Sequence, residues 1–287
     1  MKDITEGRKM HDKIEKLGNT TIHHGKNNNR IYVMKFSLDD VPEIITKLEE
    51  LAKEKGYTKI FAKIQAGELP HFLSNGYITE AFIPRFYNNK TDCIMVSRFF
   101  DKKRLKVPDE KLKSFYELLS NTKKSRRLVY KHAMKFLFRR LGTDDVEPIT
   151  EIFRQVFSTY PFPIHDPDYV RKTMLSGDVQ YFGIWEDKKL IGVSTAEIDL
   201  TNKNVEMTDF AVLPEYRGQN LAFRLLVNME QKMKIAGIKT GYTIARLNEP
   251  GMNKTFLKSG YKYTGTLINN TNIGGSIESM NIFYKHL

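Results

Sequence analysis

The sequence contains a single cysteine, Cys93, and a single tryptophan in 287 residues. One thiol excludes an intramolecular disulfide and a zinc site built on thiolates, and it suits a reducing compartment such as the cytoplasm. The first residues include no apolar segment typical of a signal peptide, and no later stretch is apolar for long enough to cross a bilayer. We therefore predict a cytoplasmic protein without a membrane partner.

Acidic residues are scarce relative to basic ones, with 34 Asp and Glu against 46 Lys and Arg. The imbalance is concentrated between Lys102 and Arg140, where 14 basic residues stand against 3 acidic ones and include the run at 123–127. Basic clusters attract polyanions, but this region lacks the interleaved aromatic residues and the motif spacings of nucleic-acid-binding proteins. The pattern favours a solvated basic connector and no nucleic-acid partner.

Only seven histidines are present, and two of them, His23 and His24, are adjacent. Residues 1–30 are predicted to form a polar arm before a first strand at 31–36. Because no third ligand follows the histidine pair at a recognisable spacing, the sequence predicts no metal site.

The stretch Asn204–Val227 combines three local signals. Residues 206–213 have the composition of a strand, Pro214 ends it, and the basic turn 216–220 leads into an amphipathic helix that begins at Leu221. The backbone N–H groups at a helix start are unpaired and lie at the positive end of the helix dipole. This stretch therefore predicts a site for a phosphate group.

The residues Arg217-Gly218-Gln219-Asn220-Leu221-Ala222 resemble the acyl-CoA signature of the GNAT N-acetyltransferases. Asn220 stands where that family prefers its central glycine, but asparagine is the non-glycine residue that best accepts a positive φ, so the turn is expected to survive. The resemblance implies acetyl-CoA as cosubstrate. It places cofactor contacts at Ala211, Val212, Leu213, Arg217, Gly218, Gln219, Asn220, Leu221, Ala222 and Asn248.

The predicted order of elements over residues 135–287 also matches the GNAT fold. It runs strand, two helices, three strands, helix, strand, helix and two strands, an α/β arrangement with a mixed central sheet. The segment Phe72–Tyr77 repeats the pattern of Phe256–Tyr261, so the leading part is predicted to be a degenerate GNAT-like α/β half without the CoA turn. We divide the chain into this half (1–101), a basic helical connector (102–134) and a catalytic domain (135–287).

Acetyl transfer requires a group that takes a proton from the attacking ammonium, whose pKa lies near 10.4. The resemblance to GNAT enzymes favours Glu206 as that base, with Asp209 as its competitor on the opposite face of a regular strand. Asp209 or Glu197 would hold a cationic acceptor. The family often has a tyrosine at the position of Phe256, so either Tyr261 protonates the leaving thiolate or the thiolate departs without a dedicated donor.

The prolines of segment 160–168 predict a stiff loop. The resemblance to GNAT enzymes implies that this loop lies over the acceptor site, where Tyr160, Asp166 and Asp168 are candidate substrate contacts. For the two aspartates a helix-capping role is an equal alternative.

The layout of the whole chain resembles the β-lysine N-acetyltransferases, which acetylate the side-chain amine of β-lysine to make a compatible solute. The resemblance implies a small-molecule amine as substrate and osmoadaptation as the role. Arg171, Arg85 or Tyr87 would then bind the acceptor carboxylate. Acetylation of another amine (protein lysine, polyamine or aminoglycoside) and a non-catalytic acyl-CoA-binding regulator remain alternatives, and the sequence leaves the oligomeric state open, a homodimer included.

Overall fold

A computed structural model describes residues 12–122 and 135–287. The first part contains β1 (Lys13–Leu17), β2 (Thr20–Gly25), β3 (Arg30–Lys35), α1 (Glu43–Lys55), β4 (Lys59–Gln65), α2 (Leu69–Ser74), β5 (Ile78–Tyr87), β6 (Thr91–Phe99) and α3 (Asp109–Asn121). The second contains β7 (Leu137–Arg140), α4 (Val146–Val156), α5 (Pro167–Ser176), β8 (Val179–Glu186), β9 (Lys189–Asp199), β10 (Asn204–Val212), α6 (Leu221–Ile235), β11 (Thr240–Arg246), α7 (Pro250–Lys258), β12 (Lys262–Ile273) and β13 (Ser276–His286). The basic run at 123–127 lies outside the described residues.

The prediction of a polar arm before residue 31 is wrong for residues 13–25, which form the hairpin β1–β2. His23 and His24 are buried, and the His24 ring bonds Glu15 at 2.7 Å and the Tyr57 hydroxyl at 3.0 Å. The many Thr, Lys and Glu residues concealed these strands, because a strand near a sheet edge needs few apolar side chains.

Two predicted helix starts are also displaced. The helix assigned after Ser37 begins only at Glu43, behind a short 3₁₀ turn, and Ser37 makes no side-chain cap. The prediction of Thr143 as the N-cap of the next helix is likewise wrong, since α4 begins at Val146 and the Asp145 carboxylate accepts the Gly142 N–H at 2.8 Å. In both places a 3₁₀ turn precedes the helix, and helix boundaries are the least reliable part of a sequence reading.

The two parts of the chain follow one topological plan. The first sheet has the order β1-β2-β3-β4-β6-β5, and the second has the order β12-β13-β11-β10-β9-β8-β7. Each sheet contains a parallel pair of strands, β3 with β4 in the first and β10 with β11 in the second. An antiparallel hairpin follows at the sheet edge, β5–β6 or β12–β13, and its second strand (β6 or β13) pairs with the last strand of the parallel pair. The predicted α/β fold with a degenerate leading half is confirmed at the level of topology.

The two sheets share a core. Aromatic and aliphatic side chains of both meet there, among them Tyr32 and Phe61 from the first and Tyr242 and Tyr284 from the second. Gly265 of β12 allows the second sheet to come close to β5 of the first, because a Cβ at this position would clash with the carbonyl oxygen of Glu80.

Candidate active site

The site begins where β10 and β11 separate. Their parallel pairing covers only Asn204–Glu206 and Thr240–Tyr242, and beyond it the strands diverge around a cavity of about 590 Å³. The cavity wall includes Tyr160, Thr208, Asp209, Phe210, Val212, Arg217, Gly218, Asn220, Leu221, Ala222, Thr243, Ile244, Ala245, Arg246, Met252, Lys254, Thr255 and Phe256. Diverging strands leave their facing backbone groups without sheet partners, so an extended ligand can bond to them.

The turn between β10 and α6 forms one end of this cavity. Gly218 has φ +81° and Asn220 has φ +57°, so the asparagine adopts the left-handed conformation expected of the family's glycine. The Arg217 Nε donates to the Val212 carbonyl at 3.2 Å, while its guanidinium is exposed beside the start of α6. A helix N-terminus with a nearby guanidinium suits a pyrophosphate.

The backbone of β10 carries a bulge after Thr208. Pairing with β9 shifts between Thr208 and Ala211, and Asp209 takes φ +53°. In a regular strand Asp209 would point to the opposite face from Glu206, but the bulge changes the alternation. Its carboxylate therefore accepts the Thr195 hydroxyl at 2.6 Å, on the face of β9 that also carries Glu197.

Three carboxyl groups consequently share one face beside the cavity. Glu197 and Glu206 are direct register partners on β9 and β10, and Asp209 joins them through the bulge. Burial raises the pKa of each, and the charges of Glu206 and Asp209 raise the pKa of Glu197 further, to about 8. Glu197 nevertheless retains exposed surface.

The proline-rich loop contributes Tyr160 to the same place. Its hydroxyl donates to Asp209, and its ring lines the cavity. Asp166 instead caps α5 by accepting the Asp168 N–H at 2.9 Å, and both aspartates are exposed outside the cavity wall. Of the two roles considered for Asp166, capping is the one its observed hydrogen bond serves.

The remaining predicted cofactor residues differ in exposure. Ala211 and Leu213 are buried, and the Leu213 N–H donates to the Ile191 carbonyl of β9 at 3.0 Å. Because successive N–H groups of a strand point to opposite edges, the Val212 N–H points toward the cleft. Gln219 is exposed and Asn248 is half-buried, both outside the cavity wall.

Phe256 lies in the cavity wall and packs edge-on against Phe210. Tyr261, the predicted substitute acid, is buried behind it, near the Glu230 carboxylate and outside that wall. Burial and the Glu230 charge both raise the Tyr261 pKa, which opposes proton release. Its position does not suit it to protonate a thiolate in the cleft.

The sequence interpretation missed three residues next to the carboxyl groups: Tyr32, Lys63 and Tyr242. The Lys63 ammonium donates to the Tyr242 hydroxyl at 3.1 Å, and Tyr242 is the register partner of Glu206. A signal was present in the β4 sequence, KIFAKIQ. Its two lysines alternate with their neighbours so that they lie on the same face of the strand as the buried phenylalanine.

Of the three residues predicted to bind the acceptor carboxylate, two lie on the surface, and Tyr87 packs against the core that the two sheets share. Arg85 and Arg171 are exposed, and the Tyr87 hydroxyl contacts the buried Cys93 thiol at 3.8 Å. Within residues 12–122 and 135–287, no group of three or more His, Cys, Asp or Glu side chains is arranged to hold a metal ion. No helix in the same ranges has the length and apolar character needed to span a membrane.

Sequence comparison identifies known relatives along almost the whole chain. The profile of the acetyltransferase (GNAT) family matches residues 146–261, which run from the start of α4 to the residue before β12. The chain is 39% identical to the β-lysine N(6)-acetyltransferase of Methanococcus maripaludis over 279 residues, which are 96% of this chain and 98% of that protein. It is 31% identical to N-acetyltransferase YodP of Bacillus subtilis, over 96% of this chain and 98% of that protein. A β-lysine N(6)-acetyltransferase of Methanosarcina mazei is 30% identical over 86% of this chain and 87% of that protein.

Proposed function

The chain belongs to the GNAT family of acyl-CoA-dependent N-acetyltransferases, and on that premise we propose that it acetylates the side-chain amine of β-lysine. The product would be N-ε-acetyl-β-lysine, a compatible solute. The observation that carries the proposal is the trio Glu197, Glu206 and Asp209, which lies on one face next to the CoA cleft. Carboxyl groups brought together in this way can accept hydrogen bonds from the two amino groups of a diamino acid.

Acetyl-CoA would bind along the cleft. The N-terminus of α6 and Arg217 would hold the pyrophosphate, with Gly218 and Asn220 giving the turn its shape. The edge of β10 around Val212 would pair with the pantetheine arm. The Val212 N–H would face the thioester carbonyl and stabilise the negative charge that develops on its oxygen.

The acceptor must lose a proton before its nitrogen attacks the thioester carbon. Asp209 is the carboxyl group of the trio that lines the cleft, so it is the proposed proton acceptor, directly or through one water. Glu206, the base favoured by the sequence resemblance, lies three residues before Asp209 on β10 and beside Tyr242. There it would share with Glu197 the task of holding the second ammonium group.

The C–S bond then breaks and releases the CoA thiolate. Thiols have a pKa near 8.5, so the thiolate is a stable leaving group near neutral pH and needs no dedicated acid. This accounts for a phenylalanine at position 256, where its ring packs against Phe210 rather than donating a proton.

The test is a steady-state assay of CoA thiol release from acetyl-CoA with matched amines: β-lysine, α-lysine, spermidine and a lysine peptide. We expect the highest kcat/KM for β-lysine, with mass spectrometry placing the acetyl group on the terminal nitrogen. A preference for spermidine or for the peptide would overturn the substrate assignment and retain the family. Acetyl-CoA binding without turnover of any amine would favour a regulatory protein instead.

A further inference from the structure

We infer that the first half of the chain forms one wall of the acceptor site and that Lys63 binds the carboxylate of the acceptor. The inference rests on the proposed function and extends it to a part of the chain that lacks the CoA turn. It is carried by the register of the two sheets, by the surroundings of the Lys63 ammonium and by the distribution of charge around it.

One row of side chains crosses the first sheet. His23, Tyr32 and Phe61 are register partners on β2, β3 and β4, and they therefore share one face. Lys63 follows Phe61 by two residues and so lies on the same face. The His23 ring stacks on Phe162 of the proline-rich loop at 4.8 Å between ring centroids, so this face touches the segment that carries Tyr160.

A second row crosses the other sheet. Glu197, Glu206, Tyr242 and Tyr284 are register partners on β9, β10, β11 and β13, and they too share one face. The Lys63 ammonium reaches the Tyr242 hydroxyl at 3.1 Å, so the two rows face each other. The carboxyl groups of the second half and the ammonium of the first half thus lie on facing surfaces of the two sheets, and the charges of Glu206 and Lys63 affect each other.

Lys63 has an unusual environment for a cation. Its Nζ lies 5.5 Å from the Tyr32 ring centroid and 5.4 Å from that of Tyr242, and no carboxylate in the described part of the chain lies within 4.0 Å of it. Lys59, two positions before Phe61 on the same strand, instead pairs with Glu80 at 2.8 Å. Burial opposes the Lys63 charge, but Tyr242, Tyr32 and the more distant charge of Glu206 raise its pKa well above the ordinary value, so the ammonium stays charged without a direct carboxylate partner among the described residues. A carboxylate from a bound ligand would complete the site.

The arrangement of charge matches a zwitterionic diamine. Glu197, Glu206 and Asp209 suit its amino groups, and Lys63 on the facing sheet suits its carboxylate. A polyamine has no carboxylate, so its second ammonium would meet the Lys63 charge and be repelled. Lys63 would therefore select amino acids over diamines of similar length.

The experiment compares β-lysine with its carboxamide, which retains both amino groups and lacks the negative charge. In the wild-type protein, kcat/KM should be about 10- to 100-fold higher for β-lysine, the range expected for a hydrogen bond between charged groups. Lys63→Met should raise KM for β-lysine by about the same factor, with little change in kcat, and leave the carboxamide almost unaffected. Lys63→Arg should retain part of the preference because the charge remains.

Lys35→Met is the matched control, since Lys35 is exposed at the end of β3. The Kd for acetyl-CoA and the Tm of each variant report whether the fold is retained. If Lys63→Met lowered kcat/KM equally for β-lysine and its carboxamide, or lowered it for neither, the role of Lys63 would be overturned. A wild-type enzyme that acetylates both acceptors equally would overturn carboxylate recognition and leave the proposed function intact. Failure to acetylate β-lysine at all would overturn both.

Discussion

The Tyr160 hydroxyl donates a hydrogen bond to the Asp209 carboxylate, and this contact joins the proline-rich loop to the bulge of β10. Thr195 donates to the other carboxylate oxygen at 2.6 Å. Asp209 is thus held by hydroxyl groups from different elements at the edge of the cleft, with Thr208 as a third and longer contact at 3.4 Å. Burial raises its pKa while these donors oppose the increase, which adjusts the basicity of a carboxylate that lines the cavity.

Asp209→Asn should lower kcat by about 100-fold or more, since a positioned general base commonly contributes 10²- to 10⁴-fold. Turnover should also shift to higher pH, because the amine must then lose its proton to solvent. Tyr160→Phe should lower kcat less, by about tenfold, because it removes one hydrogen-bond donor to Asp209 and retains the base. The measurement is kcat as a function of pH at saturating acetyl-CoA. An unchanged profile for Asp209→Asn would assign proton transfer to Glu206 or to solvent.

The substitution Glu206→Gln distinguishes the role of Glu206 from that of Asp209. If Glu206 holds the second ammonium group, the substitution should raise KM for the acceptor about tenfold and change the pH dependence of kcat little. If Glu206 is the base, as the sequence resemblance favours, kcat should fall and turnover should require a higher pH. The same assays, run beside those of Asp209→Asn, decide between the two roles.

The ionisation of Glu197 should be visible in acceptor binding. Its pKa of about 8 means that the carboxyl group is mostly protonated at neutral pH in the free protein and gains charge as the pH rises. KM for the acceptor should therefore decrease as the pH is raised through about 8, until the acceptor itself loses its charge near its own pKa of about 10. Glu197→Gln should flatten this decrease. A wild-type KM independent of pH between about 7 and 9 would contradict the raised pKa.

The sequence predicted the parts of the site that depend on local chemistry. The turn at 217–222 is recognisable from six adjacent residues, and the positive φ of Asn220 agrees with the expectation that asparagine can take the conformation of the family's glycine. The sequence also shows that Asp209 would face away from Glu206 in a regular strand. Whether a bulge changes this depends on which residues pair across the strands, and residue types do not specify that pairing. Lys63 was hidden for a similar reason: its importance arises from the packing of two sheets from distant parts of the chain.

The left-handed residues of the CoA turn allow a direct test. Asn220→Gly should preserve acetyl-CoA affinity, because glycine adopts φ +57° without a steric penalty. Asn220→Val should weaken it about tenfold or more, because a β-branched residue is strained at positive φ. Isothermal titration with acetyl-CoA measures both. Equal affinities for the two variants would mean that the turn does not require the left-handed conformation.

The ion pair between Lys59 and Glu80 should contribute to stability across both halves. Both side chains are buried, the Lys59 ammonium also donates to the Ile268 carbonyl at 2.8 Å, and Glu80 accepts the Ile268 N–H at 2.6 Å. Lys59→Met would leave the Glu80 charge buried without its partner, so we expect a loss of about 3–5 kcal/mol in the free energy of unfolding. Urea denaturation followed by fluorescence measures this loss.

Adding Glu80→Gln to Lys59→Met should restore part of that stability, because glutamine still accepts the Ile268 N–H and carries no charge. Lys53→Met, at an exposed position of α1, should change the free energy of unfolding by less than about 0.5 kcal/mol. The stability of Lys59→Met would contradict the role of the pair if it equalled that of the Lys53 control. Because the pair bonds strand β12 to β4 and β5, its loss should also reduce the affinity for the acceptor, whose proposed site lies between the same two sheets.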